Sequence, residues 1–375
     1  KILEHIIYSQ TMDHLDKFKI LSKNQHGYRN GASTETQLLK VIDMVAKGLE
    51  NKSQVDVISL DFSRAFDIVP RERLLLKMRY YGINKLNPWI RNFLSNRKQT
   101  VLVDGIKSRF IEVTSGVCQG TVIAALCFLI FINDLPNTIK ESFTGIFADD
   151  TLIAKEIRSI KDYEDLQDDI KHVEEWASKW GMSFNADKCV KMTVTNKKTS
   201  INRDYKINGE TIKNEDKIKY LGVIIDKKIT FKEHIEETCK KAQTVLNMIR
   251  RNLYFAPKTV KKKACMATVI PILEYASICW SPSCLKLKKR MEIIQNNCAK
   301  FVTNLYPKKG QYENFSVSKI LNSIGWDSLE NRRNEAKLAM AYKIVTNKVI
   351  LTPDYLPKNI TNHPTRKLIT VEELT

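Results

Sequence analysis

The sequence predicts an α+β protein in which a mixed sheet-and-helix region comes first and a helical region follows. Three observations carry that prediction. Short runs rich in β-branched residues, Val55–Phe62, Thr144–Ala148, Thr151–Ala154, Cys189–Val194 and Lys219–Ile225, all fall in the earlier part of the chain. Helical periodicities alternate with them and then continue alone. Hydrophobic residues make up 43% of the 375 and charged residues 27%, an ordinary globular balance that excludes disorder as the main state.

Taken in order, Lys1–Leu15 mixes charged and apolar residues at helical spacing. Ser33–Leu49 reads as a second helix, with Ser33 or Thr34 as cap and Leu38, Leu39, Ile42, Val45, Ala46 and Leu49 on its apolar face. Val55–Phe62 (VDVISLDF) reads as a buried strand that ends at Asp61. Arg71–Tyr81 is helical and stops at Gly82; Asn87–Ser95 is a shorter helix. Thr100–Asp104 and Arg109–Val113 flank a turn at Gly105 and read as a β-hairpin. Val122–Leu135 is an apolar helix ended by Pro136. Thr144–Ala148 and Thr151–Ala154 are short strands that meet at Asp149-Asp150, which places the acid pair at a hairpin tip. Lys161–Trp180 is amphipathic and closed by Gly181. In Ile235–Leu253 the stripe Ile235, Cys239, Ala242, Leu246, Ile249 and Leu253 leaves Lys240, Lys241, Arg250 and Arg251 off it, giving one apolar and one basic face.

Composition excludes several classes. The longest apolar run, Val122–Ile132, has eleven residues, whereas a membrane span needs about 20. The first residues are no signal peptide, and a chain that begins at Lys1 reads as a fragment. Eight cysteines form no paired framework, and the cluster Cys279, Cys284 and Cys298 lacks a second ligand pair at zinc-finger spacing, so reduced thiols in an intracellular protein are expected. The net charge is +19, and it is uneven: residues 1–150 carry 20 Lys and Arg against 16 Asp and Glu, while residues 228–310 carry 17 against 5. Such asymmetry suits a polyanion partner; a solvated lysine surface is the alternative.

The chemistry lies in three carboxylates. Asp61 ends a buried strand, and Asp149 and Asp150 follow it by 88 residues at a hairpin tip. Acids gathered at adjacent strand ends repel one another unless a cation compensates. Mg²⁺ does this with one or two carboxylates plus substrate phosphates, and two such ions clamp the attacking and leaving oxygens of a phosphoryl displacement. An Asp pair is also a common turn signal. The neighbouring residues favour the first reading: Ile146-Phe147-Ala148 and Thr151-Leu152-Ile153 enclose the pair, and Ser115-Gly116-Val117-Cys118-Gln119-Gly120-Thr121 stands between the two acid sites.

This ordered set resembles a reverse transcriptase. LDFSRAFD, GVCQGT with FLIFINDLP, and FADDT resemble its motifs A, B and C, with the nearest likeness to non-LTR (LINE-type) retrotransposons of the jockey and CR1 kind. SKNQHGYRNGASTETQLL resembles the fingers segment, WASKWGMSFNADKCVKM motif D, and YLGVIID the primer grip. VIPILEYASICW and RMEIIQNNCAKFV resemble the helical region after the palm, so the likeness runs to about residue 305, and residues 306–375 match no segment of the family.

The resemblance implies a right-hand polymerase fold: partial fingers in 1–54, an antiparallel-sheet palm in 55–230 with a fingers insertion near 83–112 and the primer grip near 219–226, a basic helical thumb in 231–305, and a helical C-terminal extension in 306–375. The palm helices are expected on one face of the sheet. The implied activity is RNA-directed DNA polymerisation, extending a DNA primer 3′-hydroxyl with deoxynucleoside triphosphates on an RNA template during retrotransposition. By resemblance Asp61 and Asp149 would bind two Mg²⁺ ions, with Mn²⁺ as a substitute; the Phe62 carbonyl would be a further ligand, and Asp150 would add charge. Phe66 would act as the steric gate against ribose, Gln119 and Gly120 would contact nucleotide and template, Arg29 would hold the triphosphate, and Lys188 would protonate pyrophosphate. Phe66 also fits a core position, and Arg29 and Lys188 also fit plain surface charges. Tyr220, Leu221 and Gly222 would grip the primer, and Lys240, Lys241, Arg250 and Arg251 would meet the duplex. A ribonucleoprotein of nucleus and cytoplasm follows as the expected setting. Cys118, Thr121 and Ala124-Ala125 stand where the family usually has Pro, Ser and Gly-Pro, and upstream fingers sequence and an endonuclease are not seen. The rival reading is therefore a catalytically inactive nucleic-acid-binding relic of a truncated element.

Overall fold

The computed structural model describes residues 1–197, 199–305 and 317–356. The chain divides into two compact units, Lys1–Leu221 and Gly222–Thr375. The division falls inside the tripeptide assigned to the primer grip.

The first unit opens with α1 (Ile2–Lys17) and α2 (Thr34–Glu50). Ser33 caps α2 in a reciprocal box with Thr36. Strand β1 (Gln54–Leu60) follows, then a single helical turn α3 (Ala65–Ile68), α4 (Arg71–Tyr80) and α5 (Asn87–Leu94). The expected hairpin is an exposed arm built in two short pieces, β2 (Arg97–Gln99) with β5 (Ile111–Val113), and β3 (Leu102–Val103) with β4 (Ile106–Lys107). Helix α6 (Val122–Ile132) is buried almost all round and packs on α1 and α4. Strands β6 (Phe143–Phe147) and β7 (Asp150–Ile157) form the hairpin that carries the acid pair. Helix α7 (Ile160–Trp180), capped by Ser159 and closed by Gly181 at φ +72°, leads to β8 (Val190–Val194), β9 (Lys206–Ile207), β10 (Glu210–Thr211), β11 (Lys213–Asn214) and β12 (Lys217–Tyr220).

The sheet runs β11-β8-β1-β7-β6. It is antiparallel except at its rims, where β11 joins β8 in parallel and Gln25 bridges Ile146 in parallel. It is also covered on both faces rather than one. Val55 of β1 meets Gly48 of α2, while Ile58 and Leu60 belong to the core that contains α6 and α7. Positions 55 and 58 of a strand point to opposite faces. A strand enclosed on both sides is buried along its whole length rather than at alternate residues, and Gln54–Leu60 is buried at all but one position, Gln54 and Asp56 included.

The run expected as one strand, Lys219–Ile225, is interrupted. Leu221 and Gly222 take φ +46° and +80°, which ends β12 and starts β13 (Val223–Asp226) anew. The second unit is otherwise helical: α8 (Lys232–Asn252), α9 (Lys258–Thr268), α10 (Ile270–Glu274), α11 (Ser277–Trp280), α12 (Leu285–Thr303), α13 (Val317–Ser323) and α14 (Leu329–Val345). Ile235, Cys239, Ala242, Leu246 and Ile249 are buried, and α8 packs on α9, α10 and α12, with α13 and α14 laid on α12. Of the expected C-terminal extension, residues 306–316 and 357–375 lie outside the described residues. Among the described residues no helix is long and apolar enough to cross a membrane.

Candidate active site

Two strands deliver the acids. β1 ends at Leu60, so Asp61 is the first residue to leave the sheet. The register pairs Leu60 with Thr151 and, one step on, sets Asp61 across from Asp150. β6 and β7 close on the pair Phe147 and Asp150, which leaves Ala148 and Asp149 as the tip. Ala148 takes φ +55°, a left-handed conformation uncommon outside glycine.

The three carboxyls share one field. Burial pushes the Asp149 carboxyl above the usual range, and the Asp61 charge adds to it. Asp150 is pushed up to about 6, by burial first and then by Asp149 and Asp61. Its side chain still reaches solvent, which screens part of that repulsion. Among the described residues Oδ2 of Asp61 accepts no hydrogen bond, and its ion-pair partner is Lys188, with Nζ 3.3 Å away. No three His, Cys, Asp or Glu side chains among the described residues stand close enough to hold a metal ion by themselves.

Backbone pairing fixes what surrounds Asp61. Asn185 donates its N–H to the Asp61 carbonyl, and Ser63 donates to the Ser183 carbonyl, each at 2.8 Å. Phe62 and Phe184 face each other in the bridge between those bonds. Backbone groups alternate in direction along a strand, so the Phe62 carbonyl turns away from Phe184, to the side where β7 lies. The Phe62 ring stacks on Phe184 at 4.2 Å and meets the edge of Trp176. This anchoring carries the turn Ala186–Lys188 to Asp61.

The glycine-bearing loop docks on the chain just after Asp61. Gly116 and Val117 donate to the carbonyls of Val69 and Phe66, each at 2.9 Å, and Ser115 Oγ donates to the Asp67 carbonyl at 2.9 Å. Gly116 has φ +76°, and a Cβ there would sit 2.4 Å from the Asp67 oxygen, so both conformation and space require glycine. Gln119 is exposed and donates to Asp67 Oδ1 at 2.8 Å; Gly120, φ +80°, has open space beside it. The half-buried Phe66 ring stacks on Phe128 at 4.4 Å. Thr121 keeps the hydroxyl a Ser would supply and uses it to cap α6 at Ala124.

Other expected site residues are placed differently. Arg29 is half-buried and donates to the carbonyls of Ser22 and Gln25, so its fork holds its own loop. Burial lowers its pKa from the usual value. Tyr220 is buried; its hydroxyl accepts from Gln37 at 3.2 Å and faces the Gly145 carbonyl at 3.5 Å. The Tyr220 side chain is therefore not free to grip a primer. In the second unit Lys240, Lys241 and Arg251 are exposed, but Arg250 leaves that face: it flanks the stripe beside Ile249 and donates to the Asn297 carbonyl of α12 at 3.0 Å.

Sequence reasoning singled out Arg29 in the fingers segment and passed over its neighbours. Gln25 is 1% exposed, and its amide bonds both peptide groups of Ala148. Tyr28, at φ +57°, lies near enough to Asp149 for that charge, after burial, to raise its phenol pKa. The one available signal was Gly27, whose missing Cβ admits the Ala148 amide.

A family model described as reverse transcriptase (RNA-dependent DNA polymerase) matches residues 1–225. The RNA-directed DNA polymerase from mobile element jockey of Drosophila funebris is 32% identical over 294 residues, covering 74% of this chain and 31% of that protein. The Drosophila melanogaster jockey polymerase is 29% identical over 277 residues, covering 72% and 30%. The probable RNA-directed DNA polymerase from transposon X-element of Drosophila melanogaster is 27% identical over 320 residues, covering 81% and 34%. The chain thus spans about a third of the length of the curated relatives it matches. Among solved structures, apo telomerase from Candida tropicalis overlaps 90% of this chain and 58% of its own at 12% identity and TM-score 0.43, too loosely to add to this. Because the family match spans both acid-bearing strands, the loop between them and the Lys188 turn, the chain belongs to the reverse transcriptase family.

Proposed function

We propose that this chain is an RNA-directed DNA polymerase that extends a primer 3′-hydroxyl with deoxynucleotides on an RNA template, in the service of retrotransposition. The observation that carries the reading is the junction of Asp61, Asp149 and Asp150 at adjacent strand ends, with an Asp61 oxygen that no hydrogen bond among the described residues satisfies and two neighbours whose pKa values are raised. A site short of positive charge, with too few ligands for a closed cage, fits Mg²⁺ that is completed by substrate phosphates. Two ions held by Asp61, Asp149 and the Phe62 carbonyl, with Asp150 adding charge, would neutralise the triphosphate and orient the attacking and leaving oxygens.

The chain's own residues do the rest by positioning. Phe66, held against Phe128, would act as the steric gate against a ribose 2′-hydroxyl. Gln119, exposed on the docked loop, and Gly120, with open space beside it, would contact nucleotide and template. Lys188 stands at Asp61 with an ammonium suited to protonate departing pyrophosphate. Arg29 acts on the triphosphate only through the loop it braces. Lys240, Lys241 and Arg251 offer phosphate contacts for the primer–template. The work is that of a ribonucleoprotein shared between cytoplasm and nucleus.

A second reading, the inactive nucleic-acid-binding relic, is favoured by Cys118 and Ala124-Ala125, which stand where the family usually has Pro and Gly-Pro. Primer extension on an RNA template, with Mg²⁺ and with chelator, separates the two. Magnesium-dependent extension is expected. Tight primer–template binding with no extension under any divalent ion would leave only the binding reading.

A further inference from the structure

We propose that Gln25 is a positioning residue for this reaction: its side-chain amide clamps the backbone of Ala148 and thereby sets the direction of the Asp149 carboxyl. The inference rests on the polymerase reading for its effect on rate, but the clamp itself stands on geometry.

The segment before Arg29 runs along the free edge of β6 as an extra strand. Ile146 donates to the Asn24 carbonyl at 2.9 Å, and His26 donates to the Ile146 carbonyl at 2.8 Å. Backbone pairing stops there, two residues short of the hairpin tip. The Gln25 side chain continues it. Oε1 accepts from the Ala148 N–H at 3.0 Å and from the Gly27 N–H at 2.7 Å, while Nε2 donates to the Ala148 carbonyl at 3.3 Å. One carboxamide thus occupies both peptide groups of the residue before Asp149. Those groups would otherwise be left unpaired in a buried turn.

The residue so held is not an ordinary one. Ala148 carries φ +55°, which an L-residue keeps only when its surroundings over-determine it. A Cβ on Gly27 would lie 2.4 Å from the Ala148 nitrogen and 3.0 Å from Gln25 Oε1, so the clamp segment presses directly on the tip. Arg29 braces the other side of the loop at the carbonyls of Ser22 and Gln25. Glutamine is the side chain this job selects. It alone offers a donor and an acceptor at that reach without charge. Asparagine is a methylene short, and glutamate could not donate to the Ala148 carbonyl and would add a fourth negative charge beside three acids. Rotation at Ala148 would swing the Asp149 carboxyl, and catalysis is sensitive to displacements of about 1 Å.

A merely structural glutamine would act through stability, so the test reads more than activity. The full chain carrying Gln25→Ala or Gln25→Glu is compared with wild type in primer extension, in Mn²⁺ binding by electron spin resonance, and in hydrogen exchange at the Ala148 amide, with the Val57 amide of β1 as internal control. For Gln25→Ala, kcat should fall roughly 10- to 100-fold while KM for the deoxynucleotide stays within about 3-fold. Mn²⁺ affinity should weaken about 10-fold, and Ala148 exchange should quicken at least about 10-fold with Val57 unchanged. Gln25→Glu should keep Ala148 protected yet lose as much kcat, because the carbonyl is released. Unchanged kcat in Gln25→Ala, or equal acceleration at Ala148 and Val57, would overturn the proposal. Should wild type not extend a primer, the polymerase reading falls, and the clamp is still decided by Mn²⁺ binding and Ala148 exchange: unaltered values in Gln25→Ala overturn it, and selective changes uphold it.

Discussion

The ammonium of Lys188 lies 3.3 Å from Oδ2 of Asp61, the carboxylate oxygen that accepts no hydrogen bond among the described residues. The pair is open to solvent, with the lysine side chain 67% exposed, so its contribution to stability is small; exposed pairs give about 0–1 kcal/mol. Its meaning is positional, because the lysine stands where a divalent cation would have to approach. Lys188→Met should therefore change thermal stability little, lower the Mg²⁺ concentration for half-maximal rate, and reduce kcat roughly 100-fold through loss of the proton donor. A magnesium titration of primer-extension rate checks both effects. Wild-type values on both counts would make Lys188 a surface charge.

The acid pair predicts a pH dependence with a definite sign. The folded pKa values of Asp149 and Asp150 lie above the unfolded ones, Asp150 at about 6. Their contribution to stability is then fully present below the ordinary carboxylate range and is lost as pH rises through about 6. In chelator, Asp150→Asn should melt higher than wild type at pH 7.5 by on the order of 2 °C and show no gain near pH 4. Melting curves across that range decide it. A gain that is equal at both pH values would remove the electrostatic cause.

Phe66 stacks on Phe128 yet is only half-buried, so the ring packs on the core and the proposed gate is left to test. Phe66→Ala should admit ribonucleotides at least about 10-fold better and also cost roughly 1–3 kcal/mol, less than a fully buried ring. Incorporation of matched ribo- and deoxynucleotides, together with urea unfolding, separates the two. Lost stability with unchanged sugar choice would leave Phe66 as packing only.

The basic face of α8 is narrower than its periodicity suggested. Lys240, Lys241 and Arg251 are exposed, whereas Arg250 is bonded to the Asn297 carbonyl. Replacing those three with Gln should flatten the log–log salt dependence of primer–template binding by no more than about 2 to 3, at about 0.7–0.9 per phosphate contact. Arg250→Gln should instead lower stability, by about 1–3 kcal/mol for a charged donor lost to a carbonyl. A salt series of binding affinities tests the first statement and denaturant unfolding the second. An unaltered slope would mean that the α8 cations are a solvated face.

What the sequence made legible and what it hid follow one rule. Hydrophobic runs and stop signals locate elements, so the β1 run ending at Asp61, the acid-tipped hairpin and the Ser33 and Gly181 boundaries were all readable. Direction and contact were not. Period alone cannot say that Arg250 turns inward while Arg251 does not, since both lie off the apolar stripe. Lys219–Ile225 looked continuous because the break is a backbone conformation at Leu221, marked in the letters only by Gly222. Helices on both faces of the sheet were hidden, because Gln54, Asp56 and Ser59 interrupt the apolar residues of β1 and only the structure shows the polar pair Gln54 and Asp56 buried with them. Gln25 was hidden most thoroughly, because a glutamine in a polar segment carries no pattern until Ala148 is seen beside it.

The polymerase reading stands or falls with Asp61, Asp149 and Asp150. Incorporation of a single deoxynucleotide on an RNA-templated primer, by wild type, Asp61→Asn and Asp149→Asn under saturating Mg²⁺, tests it most directly. Wild type should incorporate, each variant should lose at least about 10³-fold in rate, and all three should bind primer–template alike. Equal incorporation by wild type and either variant would mean that these acids are not the polymerase centre.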